Sequence, residues 1–224
     1  MADWGALVAT ENGAPFITPQ SIPLALISRK TAAISASSGA VTTVTQTFTA
    51  GRPIIPFVCC TVSCVVSYKV SGTTCTVSIA NATAAGGTAY VYFFTIFAQP
   101  LPVWGIAIWD EQGTCILTNE TRVLTDIEAV GTNGSNTAGG FNINTTKTGK
   151  YGIVPAMSGL VSGVITSGGT RPYSSQYFFR ATWNGSSTVL SSALTNGPPP
   201  AGTTNVTYHN MRNQVYALNL ASYD

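Results

Sequence analysis

With ten basic and eight acidic side chains among 224 residues, the chain is 8% charged and carries a net +2. Ordinary soluble chains are roughly 25% charged, and a net charge this small and scattered excludes a basic footprint for nucleic acid. Apolar content is normal at 45%, so Thr, Ser, Asn and Gly replace the missing charge. Such a surface stays in solution through hydroxyls and amides, or is covered by copies of itself.

Met1-Ala-Asp-Trp-Gly5 has no basic segment followed by an apolar one, so no secretory signal peptide is expected. Trp4-Gly5 recurs a hundred residues later as Trp104-Gly105. Slid by that spacing, Val8 meets Ile108, Glu11 meets Glu111, Gly13 meets Gly113, Thr18 meets Thr118, Leu24 meets Leu124 and Ile27 meets Ile127. Further on, Thr49 to Pro56 resembles Thr148 to Pro155. A repeat of this length is a duplicated domain, not a solenoid unit of about 20–50 residues. Duplication favours a scaffold or binding role, because an active site seldom survives in duplicate without leaving its residues visible.

In the second copy, Trp104 to Trp109 predicts a strand, Asp110-Glu-Gln-Gly113 a polar turn, and Thr114 to Thr118 a returning strand. The first copy, Trp4 to Thr18, has the same layout about Glu11-Asn-Gly13, so Glu11 and Glu111 read as solvated turn residues. The first half continues with strands at Pro23 to Arg29, Ala40 to Thr49, Ile54 to Tyr68, Thr74 to Ile79 and Ala89 to Ala98. In the second half strands are expected at Arg122 to Val130, Lys150 to Ala156, Gly159 to Thr166, Gln176 to Asn184, Ser187 to Leu194 and Gln214 to Ala221. Val, Ile, Thr, Phe and Tyr dominate these segments, and no capped helical stripe is present. The predicted fold is all-β: two tandem related β-sandwich (or partly closed barrel) domains. Ala98-Gln-Pro-Leu-Pro102 marks the boundary, giving a first domain at 1–98, a Pro-rich linker at 99–103 and a second domain at 104–224. The second is longer through polar loops at 131–148 and 196–202, where variable contacts are usually carried.

Pro53 to Tyr68 and Ala89 to Trp109 are apolar enough to suggest membrane spans, which need about 20 residues. The first is too short and holds Pro53 and Pro56; the second is broken by Gln99, Pro100 and Pro102. Both are expected as buried strands, without membrane insertion. Cys59, Cys60, Cys64, Cys75 and Cys115 lack zinc-knuckle spacing, and His209 is the one histidine. Small buried hydrophobes are the expectation, with a pairing of Cys75 to the 59–64 cluster as the alternative. Six Asn-x-Ser/Thr sequons, at Asn81, Asn119, Asn133, Asn144, Asn184 and Asn205, are expected by chance in a chain rich in Asn and Thr.

No catalytic motif is visible: no Gly-x-Ser-x-Gly elbow, no Gly-x-Gly-x-x-Gly and no phosphate-binding loop. Asp126 and Glu128 would share a strand face about 6.5–7 Å apart along the chain, which touches the spacing of a glycosidase pair. Glycosidases, however, place those groups on separate strands. No catalytic residue, metal site or cofactor is therefore expected. The candidate binding residues are aromatic and cationic: Trp109, Tyr173, Tyr177, Phe179, Arg180 and Trp183, a composition used by interfaces. Tyr177, Phe179 and Trp183 would face one way on a strand and Arg180 the other, as core or subunit interface in preference to a ligand pocket.

Trp-Gly-x-x-Ile-Trp-Asp-x-x-Gly-x-x-Ile-Leu, here Trp104 to Leu117, followed by Arg122-Val-Leu124, resembles the opening of small tail proteins of long-tailed bacteriophages. Those often begin with such a hairpin close to the initiator methionine, as Trp4-Gly5 does. The first copy departs in having Thr10 where the second has Asp110, and Pro23 in the following strand. The resemblance implies a structural virion component of the tail or tail tip, made in the host bacterial cytoplasm. Its partners would be other tail proteins and further copies of itself. The alternative is an adhesin that binds a host-surface receptor or carbohydrate through the long loops of the second half.

Overall fold

A computed structural model describes residues 8–9, 15–17, 22–132, 143–195, 198–210 and 214–224. The first half forms β1 (Val8–Ala9), β2 (Pro15–Ile17), β3 (Ala25–Ile34), β4 (Val41–Thr47), β5 (Ile54–Cys60), β6 (Cys64–Ser71), β7 (Thr74–Asn81) and β8 (Gly87–Thr95). The second forms β9 (Ala107–Trp109), β10 (Cys115–Thr118), β11 (Ile127–Gly131), β12 (Thr145–Thr148), β13 (Tyr151–Ile153), β14 (Met157–Ile165), β15 (Arg171–Trp183), β16 (Ser187–Leu194), β17 (Thr203–Asn210) and β18 (Gln214–Asn219). A 3-10 turn at Ala221–Tyr223 follows. The fold is all-β, with no α-helix among the described residues.

Strand pairing repeats between the halves. In the first, β3, β8 and β5 form one antiparallel unit and β4, β7 and β6 another. In the second, β11, β18 and β13 pair in the same order and sense, as do β12, β16 and β15. The hairpins β1–β2 and β9–β10 open the two copies. Two strands have no counterpart in the first half. They are β14, between β13 and β15, and β17, between β16 and β18; β14 pairs with both β15 and β17. Together with the outer part of β15 they form an arm on the second copy.

The two tandem repeats are continuous through one sheet. Val58 of β5 pairs with Ile153 of β13, and Cys60 pairs in parallel with Thr182 of β15, so one eleven-stranded sheet runs through both halves. One core lies between the two sheets of the first half and includes Val58, Cys60, Val77, Ile79, Val91 and Phe93. The other combines Phe57, Cys59, Tyr92 and Phe94 with Ile153, Phe179, Leu190, Ala217 and Leu220 of the second half. Alternate residues of β5 and β8 thus serve different cores, and neither strand has a wet face. That explains their unbroken apolar runs, since strands buried on both sides lose the apolar/polar alternation. Residues 99–103 divide the repeats but not the hydrophobic interior.

Ile54 to Tyr68 is two strands, not one. The chain passes from the larger sheet to the three-stranded one at Thr61-Val-Ser63, a segment without Gly, Pro or Asn, which hydrogen bonds hold from outside: Thr88 N donates to Thr61 Oγ1 and Ala82 N to Ser63 O. β12 and β17 fall outside the expected strands, and β12 within a segment expected as loop. Both are polar, and pairing with β16 and β14 supplies their order. No helix among the described residues is long and apolar enough to cross a membrane. The Glu11 to Gly13 turn, loop residues 133–142 and residues 196–197 lie outside the described residues.

A shared core predicts shared unfolding. Phe94 is fully buried and packs edge-on against Phe57 at 5.7 Å and Tyr223 at 5.0 Å, linking the halves. Phe94→Ala is expected to cost about 3–5 kcal/mol, with calorimetry showing one cooperative transition moved to lower temperature. Two transitions, only one of them shifted, would show that the halves unfold independently.

Candidate functional site

The six residues singled out from the sequence go to four places. Phe179 is 1% exposed and belongs to the joint core. Tyr177, Phe179 and Trp183 do face one way along β15, and Arg180 the other. Arg180 Nε donates to Ser191 Oγ at 2.7 Å, and its Nη1 donates to Ser63 Oγ of the first half. Burial lowers its pKa, with the neighbouring Cys64 pulling the other way. Trp183 meets Tyr90 of the first half edge-on at 5.9 Å. Arg180 and Trp183 therefore fasten the halves together.

Beside Trp183 lies a network whose members the sequence did not single out. Lys150 is 7% exposed, and its ammonium sits 3.6 Å from the centre of the Tyr90 ring and 5.3 Å from that of Trp183. It donates to Tyr92 Oη at 3.0 Å and to Asp224 Oδ1 at 3.0 Å. Tyr92 also donates to Asp224, and Arg29 pairs with the same carboxylate at 3.1 Å. Arg122 holds the backbone oxygens of Tyr223 and Asp224 at 2.9 and 3.2 Å. Burial pushes the Asp224 carboxyl up, but hydrogen bonds from Tyr92 and Lys150 and the charges of Lys150 and Arg29 together hold it below the usual range. The available signal was the scarcity of charge: a lysine beside a strand in so uncharged a chain needs a partner.

The remaining candidates lie on two outer elements: half-buried Tyr173 and buried Tyr177 on the arm, and exposed Trp109 on the β9–β10 hairpin. On the arm, register sets Tyr173 opposite Gly163 and Tyr177 opposite Gly159, with Tyr208 of β17 opposite Val161 on the same face. Thr203 and Val206 of β17 fill the space over Gly163, where a Cβ would lie 2.7 Å from Thr203 Cγ2 and 3.6 Å from Val206 Cγ2. Burial pushes the Tyr177 phenol up to about 12, and the nearby phenols of Tyr208 and Tyr173 add to it. Arg171 continues this face to the outer end of β15, exposed, while Tyr208 and Val206 keep 38% and 39% exposure.

Trp109 lies on the β9–β10 hairpin, which is held against the first half. Gln99 N donates to Cys115 O at 2.8 Å, and Ile116 and Asp110 line a cleft of about 190 Å³ with Ile96, Phe97 and Arg52. The turn forms as expected. Asp110 Oδ1 accepts from Gln112 N and Thr114 N, and Gly113 takes φ 77°. The Trp-Gly pair also has a reason. Gly105 adopts φ 126°, and a Cβ there would sit 2.1 Å from Asn119 Oδ1, which accepts from Ile106 N. The segment leading into and along β9 leaves large apolar side chains in solvent: Leu101, Val103, Trp104, Ile106 and Trp109 are between 52% and 98% exposed.

Catalytic groupings are weak. Asp126 stands outside β11 at φ 57°, so it does not share a strand face with Glu128, which correction removes the carboxylate pair. Glu128 is tied to Lys147 and Tyr151. His209 Nε2 lies 3.4 Å from Ser162 Oγ as a cross-strand neighbour on the exposed arm. Among the described residues no group of three or more His, Cys, Asp or Glu is arranged to hold a metal ion. Asn81 of the first sequon is 2% exposed and donates to Ser35 O and Ala85 O, a structural role. All five cysteines are free and buried; burial pushes Cys75 up to about 11 and Cys59 up to about 12.

Two measurements test this part of the structure. A carboxyl held low when folded adds stability above its unfolded value of about 3.9 and loses it as pH falls through the lower folded value. Asp224→Asn should cost about 3 kcal/mol near neutral pH, the low end for a broken buried pair because the aspartate side chain is 36% exposed. It should also flatten the acid limb of stability below about pH 4, as read by urea unfolding. An unchanged acid limb would place the acid-sensitive group elsewhere. The thiols should resist alkylation near pH 8 until denaturant is added, and rapid native labelling would contradict their burial.

No protein-family model matches the chain, and no curated protein or solved structure matches it either.

Proposed function

We propose that the chain is a structural component of a bacteriophage tail or tail tip, acting through assembly with other virion proteins and with itself and not through chemistry. The observation that carries this reading is the uncharged face from Leu101 to Trp109, where five large apolar side chains stand in solvent. Single exposed apolar residues are ordinary, but contiguous patches mark association surfaces. The segment coincides with the Trp-Gly hairpin that resembles phage tail proteins. The scattered charge elsewhere offers little repulsion to close packing of copies. A second reading, a host-surface or carbohydrate-binding adhesin, is favoured by the tyrosine-lined arm, which the first copy lacks.

Light scattering over a concentration series distinguishes the two. The assembly reading expects a defined oligomer or a mass that grows with concentration. Trp104→Ser should weaken that association while changing folding stability by no more than about 0.5 kcal/mol, as for an exposed position. A monomer at every concentration would turn attention to the adhesin and to binding on host cells.

A further inference from the structure

The two outer surfaces are unlike in charge, and their difference identifies what covers them. From residue 70 to 121 the chain has Asp110, Glu111 and Glu120 but no Lys or Arg. From 129 to 223 it has Lys147, Lys150, Arg171, Arg180 and Arg212 but no carboxylate. Glu111 is exposed in the turn after Trp109, and Glu120 is exposed at the other end of the hairpin beside Asn119, which holds Ile106. Glu120 shares a groove with Arg29 and Arg122, but Arg29 is paired with Asp224 and Arg122 holds the backbone oxygens of Tyr223 and Asp224. Lys147, Lys150 and Arg180 are engaged by internal partners, whereas Arg171 stands exposed at the outer end of the arm.

Building on the assembly reading above, we propose that the apolar face of the β9–β10 hairpin of one copy docks on the Arg171–Tyr208 face of the arm of a second copy. Charge disfavours the simpler arrangement. Two hairpins meeting face to face would bring Glu111 and Glu120 against their own kind. The arm offers the opposite sign together with an arginine–tyrosine surface, the residue types that carry binding energy at interface centres. Complementary rims also orient the encounter. Because hairpin and arm are different surfaces, the contact is head-to-tail, and it repeats until a ring closes or a filament grows.

Mixing two defective chains tests this directly. The hairpin variant carries Trp104→Ser and Ile106→Ser; the arm variant carries Arg171→Glu and Tyr208→Ser. All four positions are exposed, so both variants should keep the wild-type circular dichroism and melting temperature. Each alone should weaken self-association by at least about thirtyfold, the effect of losing one strong interface residue. An equimolar mixture should form a one-to-one heterodimer and stop there, since only one competent hairpin and one competent arm remain. An arm variant that assembles like wild type would overturn the proposal while leaving assembly itself intact. Folded variants that give no heterodimer on mixing would also overturn it. A wild-type chain that is monomeric throughout would overturn both this contact and the assembly reading.

Discussion

Everything in this fold depends on two strands that have no side facing water. β5 and β8 lie side by side, and their alternate residues fill two different cores, Val58 and Phe93 on one side, Phe57 and Phe94 on the other. Fully burying a side chain of this size contributes about 1.5–3 kcal/mol, so the pair is worth more than any surface contact. It also cannot be half made. Unless the second half covers Phe57, Tyr92 and Phe94, the first half is left with an aromatic face in solvent. The duplication has therefore become an obligate partnership within one chain.

Scarce charge reinforces that partnership. Arg29 and Tyr92 of the first half meet Lys150 and Asp224 of the second, and Arg180 reaches across to Ser63. A buried ammonium gains little net stability from its ion pair but is costly to leave alone. Its value here is in defining one arrangement of the halves, with the rings of Tyr90 and Trp183 closing around Lys150. The side chains with the most conspicuous chemistry are thereby occupied in holding the body together.

What remains for partners is at the periphery. The hairpin is a separate two-stranded sheet laid against the first half, and the arm extends beyond the repeated strands of the second. Neither is needed to complete a core shared by the halves, which leaves both free to vary in sequence without unfolding the body. Division of labour between a locked interior and two unlike outer surfaces is in keeping with the assembly role we propose.

Much of this was legible in the residues. Period-two patterning and β-branched content specified strands, the Trp-Gly recurrence specified the duplication, and Asp110 with Gly113 specified the hairpin turn, because each is a local property of the backbone. Even the two-faced burial of β5 and β8 was written as apolar runs, although the runs did not say what lay on each face. Tertiary structure alone decided that the halves share a sheet, that Lys150 finds Asp224, and that Thr145–Thr148 and Thr203–Asn210 become strands. Those outcomes depend on groups far apart in the chain, 74 residues for Lys150 and Asp224 and further still for Val58 with Ile153 and Cys60 with Thr182, or on the edge of a neighbouring strand. The six candidate side chains show the same limit. The alternation of the five on β15 could be read from spacing, but which side met the core, which met the other half and which met solvent depended on what the rest of the chain brought to each face.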